Sequence, residues 1–188
     1  MRNNFGMANT LIESPFQWLQ DIERLTKQRA KGLPRQLNVE KIWRGIGFRL
    51  GKTYLVTLMQ EIREILPCRD RLARVPGAKS WVKGLANIRG SLLPVIDLND
   101  CLGGEGITIN NHTRMLIINQ AGFTAGLLVD EVIGIKAFLE HDKDPNTPCN
   151  VARIAPFANG LFTYDKITWT VFDIEKLVQN DLFLKAAL

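Results

Sequence analysis

Few residues in this chain have the type and spacing that chemistry needs. Gly51-Lys52-Thr53 resembles the end of a phosphate-binding loop. That loop also needs Gly at position 46 and a following helix whose amides hold the phosphate. Position 46 is Ile, and Tyr54 to Met59 alternates like a strand. The two histidines are His112 and His141. His141-Asp142-Lys143-Asp144 offers one imidazole and two carboxylates in a polar stretch, a pattern more typical of a solvated turn than of a metal site. Cys68, Cys101 and Cys149 are far apart and show no tetrahedral zinc spacing. An odd, scattered set of thiols also argues against a disulfide framework. No nucleophile, base and acid are grouped as a triad. The expectation is therefore no catalytic, cofactor or metal residue, and no enzyme.

Arg89 differs from these. It lies in Asn87-Ile88-Arg89-Gly90, just before an apolar run. An arginine is always charged and presents a rigid fork of donors. It can pin a turn, or it can stand on a docking surface, where Arg is enriched. The residues alone allow both.

The elements that would position Arg89 are mostly strands. Ile42 to Leu50 alternates, Gly51-Lys52 makes a turn, and Tyr54 to Met59 returns as a hairpin. Leu92 to Leu98 reads as a third strand, with Pro94 pointing to an edge or a bulge. Arg114 to Asn119 and Phe123 to Val129 form a second hairpin, and Val132 to Ile135 can extend the sheet. Residues 141–149 form a polar loop, and Lys166 to Phe172 is a late strand. Asp173 caps a short helix carrying Ile174, Leu177 and Val178. Many short strands between glycine-rich turns suggest barrels or a sandwich.

Residues 1–38 read as a helical extension, and 39–188 as the main domain. Ser14-Pro15-Phe16-Gln17 fits a capping box. Trp18, Ile22 and Leu25 form an apolar stripe, and Gly32 and Pro34 stop the helix. The expectation is a helix packed on its own domain, with a partner-binding or membrane-surface helix as the alternative.

Net charge is +5. The first hundred residues hold 17 Lys and Arg against 9 Asp and Glu, whereas the remainder hold 7 against 10. With Trp43, Tyr54 and Trp81, that basic half keeps a nucleic-acid-binding barrel as a rival reading. No stretch approaches the roughly 18 apolar residues of a membrane span, and the N-terminal residues lack a signal-peptide core. The expected location is the cytoplasm.

Four stretches, in order, carry a family likeness. Phe48-Arg49-Leu50-Gly51 with Tyr54 and Ile62-Arg63-Glu64-Ile65 resembles the opening of CheW-like domains. Val75-Pro76, Val82 to Gly90 and Pro94-Val95-Ile96-Asp97-Leu98 resemble the central signature. Gly126 to Val132 is similar to the second-half signature, and Val171 to Leu177 to the closing strand and helix. The likeness implies a mostly all-β fold of two five-stranded barrels sharing one hydrophobic core. It implies an adaptor linking a methyl-accepting chemoreceptor tip to the regulatory domain of a CheA-type histidine kinase. Nucleic acid is not expected as a partner, and the membrane only through the receptor, so the protein would sit at the receptor array. By motif, the docking residues would be Ile62 and Glu64 on the first barrel and Gly84, Arg89 and Gly90 at the turn between barrels. The first helix and Trp169-Thr170-Val171-Phe172 resemble the branch that serves type IV pili and twitching motility, with a flagellar adaptor as the alternative. The stretch from Tyr54 to Ile65 is one residue longer than usual for the family, which a bulge can absorb.

Overall fold

The computed structural model describes residues 19–20, 22–26, 40–68, 72–120 and 122–184. The chain divides into two compact units, Met1–Val39 and Glu40–Leu188. In the first, residues 19–20 and 22–26 are helical, and Leu19, Ile22 and Leu25 are exposed. The Ser14–Gln17 capping box and the Gly32 and Pro34 stops lie outside the described residues. Among the described residues no helix is long and apolar enough to cross a membrane.

The second unit is two five-stranded sheets. Strands β1 (Ile42–Leu50) and β2 (Thr53–Leu58) form the expected hairpin. A single 3-10 turn, Met59–Glu61, then carries the chain into the second sheet. That sheet holds β3 (Ile62–Pro67), β4 (Val82–Ile88), β5 (Ser91–Asp97), β6 (Arg114–Gln120) and β7 (Phe123–Val129), in the order β3-β6-β7-β5-β4. The chain returns through Asp130 to β8 (Glu131–Leu139), β9 (Ala158–Tyr164) and β10 (Ile167–Phe172). The first sheet is ordered β8-β1-β2-β10-β9. Short helices α1 (Leu98–Cys101), α2 (Ile174–Val178) and α3 (Asp181–Leu184) complete the unit.

Several sequence expectations need adjustment. The extra residue before Ile65 is absorbed by the 3-10 turn and by a register shift between Ile62 and Glu64. Pro94 is on an inner strand, not an edge. Its missing N–H does no harm because the parallel ladder from β5 to β7 starts only at Val95. Strand β8 runs four residues beyond Ile135. The residue pattern does not predict β3, β4 or β9: β3 follows the hairpin after a single 3-10 turn, and Gly84 and Gly160, the latter at φ +91°, interrupt the alternation of the other two.

A large apolar cluster draws Phe48, Leu50 and Leu55 from the first sheet together with Val95, Leu116, Ile118 and Leu127 from the second. Burial is thus shared between the sheets. A second, aromatic cluster fills the first sheet: Phe138 and Phe162 stack at 4.4 Å, with Trp43 5.2 Å from Phe162.

The crossing at Asp130 is tied to the first hairpin. The Asp130 carboxylate accepts from the Gly51 amide at 2.6 Å, and Arg49 pairs with Glu131 at 3.3 Å. The glycine amide that a phosphate would need is therefore already occupied, in a strand–turn–strand setting.

The other crossing buries an acid. Glu61 is 8% exposed, and Thr57 Oγ1 and the Leu58 amide at 3.0 Å both donate to its Oε2. Burial, then the nearby Asp173 and Glu175, raises its pKa above the ordinary 4.5, against the lowering effect of those two bonds. The folded protein therefore holds this proton more tightly than the unfolded chain does. The associated stabilisation is full below pH 4.5 and is lost as pH rises through the raised value. Glu61→Gln keeps an oxygen for both donors and carries no charge. It is expected to melt higher than the wild type at neutral pH and no higher in acid, as followed by circular dichroism melts across pH.

Candidate docking site

Strand β3 is an edge strand with a clear alternation. Ile62, Glu64 and Leu66 are half-buried, whereas Arg63, Ile65 and Pro67 are exposed. Ile62 packs on the large core, so the outward isoleucine of the pair is Ile65.

Strands β4 and β5 are joined by the two-residue turn Arg89-Gly90, closing on the pair Ile88 and Ser91. Both turn residues have left-handed backbone, φ +52° and +86°. This is the hairpin geometry that follows strand twist, and glycine suits it. A non-glycine residue there costs about 1 kcal/mol. Asn87 Oδ1 accepts from the Gly90 amide at 2.9 Å and helps to hold the turn.

Across the seam between the edge strands β3 and β4, Arg89 Nη2 donates to Glu64 Oε1 at 2.7 Å. The Arg89 side chain is 81% exposed and that of Glu64 26%. An ion pair this exposed contributes little to stability, about 0–1 kcal/mol. A guanidinium in a strained turn, with little structural return, is an outlier of the kind found at functional sites. It borders a polar groove of about 240 Å³ lined also by Arg63, Ser91, Ile117 and Thr124, with Leu92 exposed beside the turn.

The structure thus brings together Glu64, Arg89 and Gly90, but not every residue named from the motifs. The Arg89-Gly90 turn lies within the second sheet, not between barrels. Gly84 is inside β4 and buried. Its φ is +142°, and a Cβ there would stand 2.5 Å from the Ala73 carbonyl oxygen. Ala73 and Leu85 exchange backbone hydrogen bonds at 2.9 and 2.8 Å, so Gly84 makes room for a backbone crossing. Arg63, Ser91 and Thr124 were missed; Ser91 follows the turn directly, whereas only the folding of the second sheet brings Arg63 and Thr124 beside Arg89.

Other polar groups are structurally engaged. Asp97, fully buried, accepts from the amides of Asp100 at 3.1 Å and Ile107 at 2.7 Å, and pairs with Lys83 at 3.1 Å. Asp144 accepts from Thr147 Oγ1 and from the amides of Asn146 and Thr147. The Thr147 hydroxyl, then those amides, lowers its pKa. Among the described residues no group of His, Cys, Asp and Glu is arranged to hold a metal. Burial, then Asp100 and Asp97, pushes the Cys101 thiol up to about 12. The aromatic rings of the nucleic-acid reading are committed internally: Trp43 to Phe138 and Phe162, Tyr54 to Trp169, Trp81 to Phe183.

The CheW-like domain family matches residues 44–182. Protein PilI of Pseudomonas aeruginosa is 38% identical over 94% of this chain and 98% of its own. Chemotaxis protein CheW of Klebsiella aerogenes is 25% identical over 65% of this chain and 72% of its own. The solved structure of the scaffolding protein TtCheW from Thermoanaerobacter tengcongensis superposes with a TM-score of 0.66 at 21% identity, covering 79% of this chain and 96% of that one. That last likeness speaks for the fold of two five-stranded sheets.

Proposed function

Because the chain belongs to the CheW-like domain family, we propose that it is a non-catalytic scaffold coupling a methyl-accepting chemoreceptor tip to the regulatory domain of a CheA-type histidine kinase. The observation that carries this reading is the hairpin tip, where exposed Arg89 stands in strained backbone beside Glu64. In this reading Arg89 and Glu64 give the docking surface its charge pattern. Gly90 gives the turn its shape and Gly84 the bulge behind it, while Ile62 anchors the edge strand that presents Glu64. Likeness to PilI supports type IV pilus and twitching-motility output, and a flagellar chemotaxis adaptor is the alternative. The protein would work in the cytoplasm at the receptor array. Signalling contacts of this kind are small and individually weak, and an array supplies strength through multivalency.

The test is binding of the purified protein to the regulatory region of a CheA-type kinase from the same source, at two salt concentrations, with single-stranded DNA as control. Kinase binding without DNA binding is expected. Salt-sensitive DNA binding without kinase binding overturns the reading and returns attention to the basic half. Two variants sharpen it. Arg89→Glu reverses the charge beside Glu64 and is expected to weaken kinase binding about tenfold, the cost of a disrupted interfacial charge. Arg89→Gly removes the charge and relieves the turn, so binding should fall while the melting temperature holds or rises. A melting temperature that falls with Arg89→Gly would make the residue a structural pin.

A further inference from the structure

A cleft of about 500 Å³ lies against the C-terminal helices and shares no lining residue with the groove at Arg89. Its size falls in the range of small-molecule sites. One wall is aromatic: Trp81 and Phe183 stack with ring centroids 6.4 Å apart and planes 14° apart. Leu102, Phe157 and Leu177 give it a buried aliphatic and aromatic floor.

The polar side of the cleft is unbalanced. Arg153 lines it, and Arg153 Nη1 donates to Asn99 Oδ1 at 2.6 Å. Asn99 is 7% exposed and is itself oriented by donation from its Nδ2 to the Glu105 carbonyl at 2.8 Å. The guanidinium is therefore held by a fixed but neutral partner. No carboxylate among the described residues pairs with Arg153. The one acid on the cleft lining, Asp100, is committed to Lys83 at 3.6 Å and to the Ser80 hydroxyl at 3.5 Å. Cys101 stays a neutral thiol at ordinary pH, so it offers Arg153 no counter-charge. What remains is a half-buried fork of donors with spare N–H groups beside an apolar, ring-lined hollow. A guanidinium fork matches a carboxylate in geometry and charge, and an aromatic wall favours a flat or branched apolar body.

We infer that this cleft binds a small monocarboxylate with an aromatic or branched apolar body, its carboxylate on Arg153 and its body against Trp81 and Phe183. The site is separate from the docking tip and does not depend on the scaffold reading.

Titration calorimetry with phenylbutyrate and its neutral counterpart phenylbutyramide tests it, with the total tryptophan fluorescence followed in parallel. Saturable phenylbutyrate binding is expected, at least about tenfold tighter than the amide, as a charge-assisted pair predicts. Arg153→Met should bring acid and amide to equal affinity. Ser80→Trp, which sets a bulky ring at the exposed mouth and leaves Arg153 in place, should abolish both. No saturable binding up to about 10 mM, where even very weak sites show heat, overturns the inference. So does equal binding of acid and amide to the wild type. If Arg153→Met melts with the wild type and keeps the preference for the acid, the assignment of Arg153 fails; if that variant does not fold, Ser80→Trp and the acid–amide pair decide.

Discussion

Replacing Asp97 by alanine is expected to lower the unfolding free energy by about 3 kcal/mol, combining a lost helix cap with a stranded buried amide. Both carboxylate oxygens are in use. Oδ1 caps α1 through the Asp100 amide, and Oδ2 takes the Ile107 amide as well as Lys83. The lysine is the smaller part of the cost, since it is 27% exposed and still has Asp100 at 3.6 Å. The Ile107 amide is the larger part, because it is buried and its hydrogen bond, at 2.7 Å, goes to Asp97 Oδ2. Asp97→Asn should cost about half as much: its one carbonyl oxygen serves one amide, and its NH2 meets the other donor head-on. Urea denaturation followed by circular dichroism gives both numbers. An Asp97→Ala midpoint equal to wild type would mean that the Asp97 cluster is not a support of the second sheet.

Phe162→Ala is expected to cost about 3–5 kcal/mol, the range for deleting a buried aromatic ring. Phe162 is fully buried and lies parallel to Phe138, 6° between planes. Its cluster is small and ring-rich, with Val56, Phe138, Trp169 and Val171 as its other buried members. Such rings cannot slide together to close a hole as aliphatic chains can, so the cavity persists. Phe162→Leu refills most of the space and should cost about 1 kcal/mol. Leu92→Ala, at a position 67% exposed, should stay within about 0.5 kcal/mol of wild type and serves as the control. A Phe162→Ala loss no larger than that of Leu92→Ala would place the weight of the first sheet elsewhere.

How legible the fold was in the sequence follows from how regular each strand is. Ile46, Phe48 and Leu50 alternate with Gly47 and Arg49 up to the turn at Gly51, and Ile42 to Leu50 forms the hairpin expected of it. Asp173 caps its helix through the Lys176 amide at 3.0 Å, as its position before Ile174 suggested. Strand β4 was hidden because Gly84 stands where alternation after Val82 and Lys83 calls for a larger apolar residue. Tertiary contact supplies the reason: the glycine admits Ala73, and the lysine reaches Asp97. At the docking tip, Arg89 stood out by its setting, but its pairing with Glu64 could not. Those residues are 25 apart in sequence and meet only because β3 and β4 are the two ends of one curled sheet. Which of Ile62 and Ile65 faces outward was equally unreadable, since the bulge before Glu64 sets which side of β3 meets the core.

The order of strands also bears on how the chain is made. The second sheet is one uninterrupted run, from Ile62 to Val129, whereas the first is assembled from both sides of that run. On a ribosome, the hairpin of β1 and β2 emerges first and then waits. Its neighbours β8 and β10 are complete only once residue 172 has left the exit tunnel. Through that interval a glycine-rich hairpin with two bare edges depends on the finished second sheet, or on a chaperone, to keep it from pairing with another nascent chain.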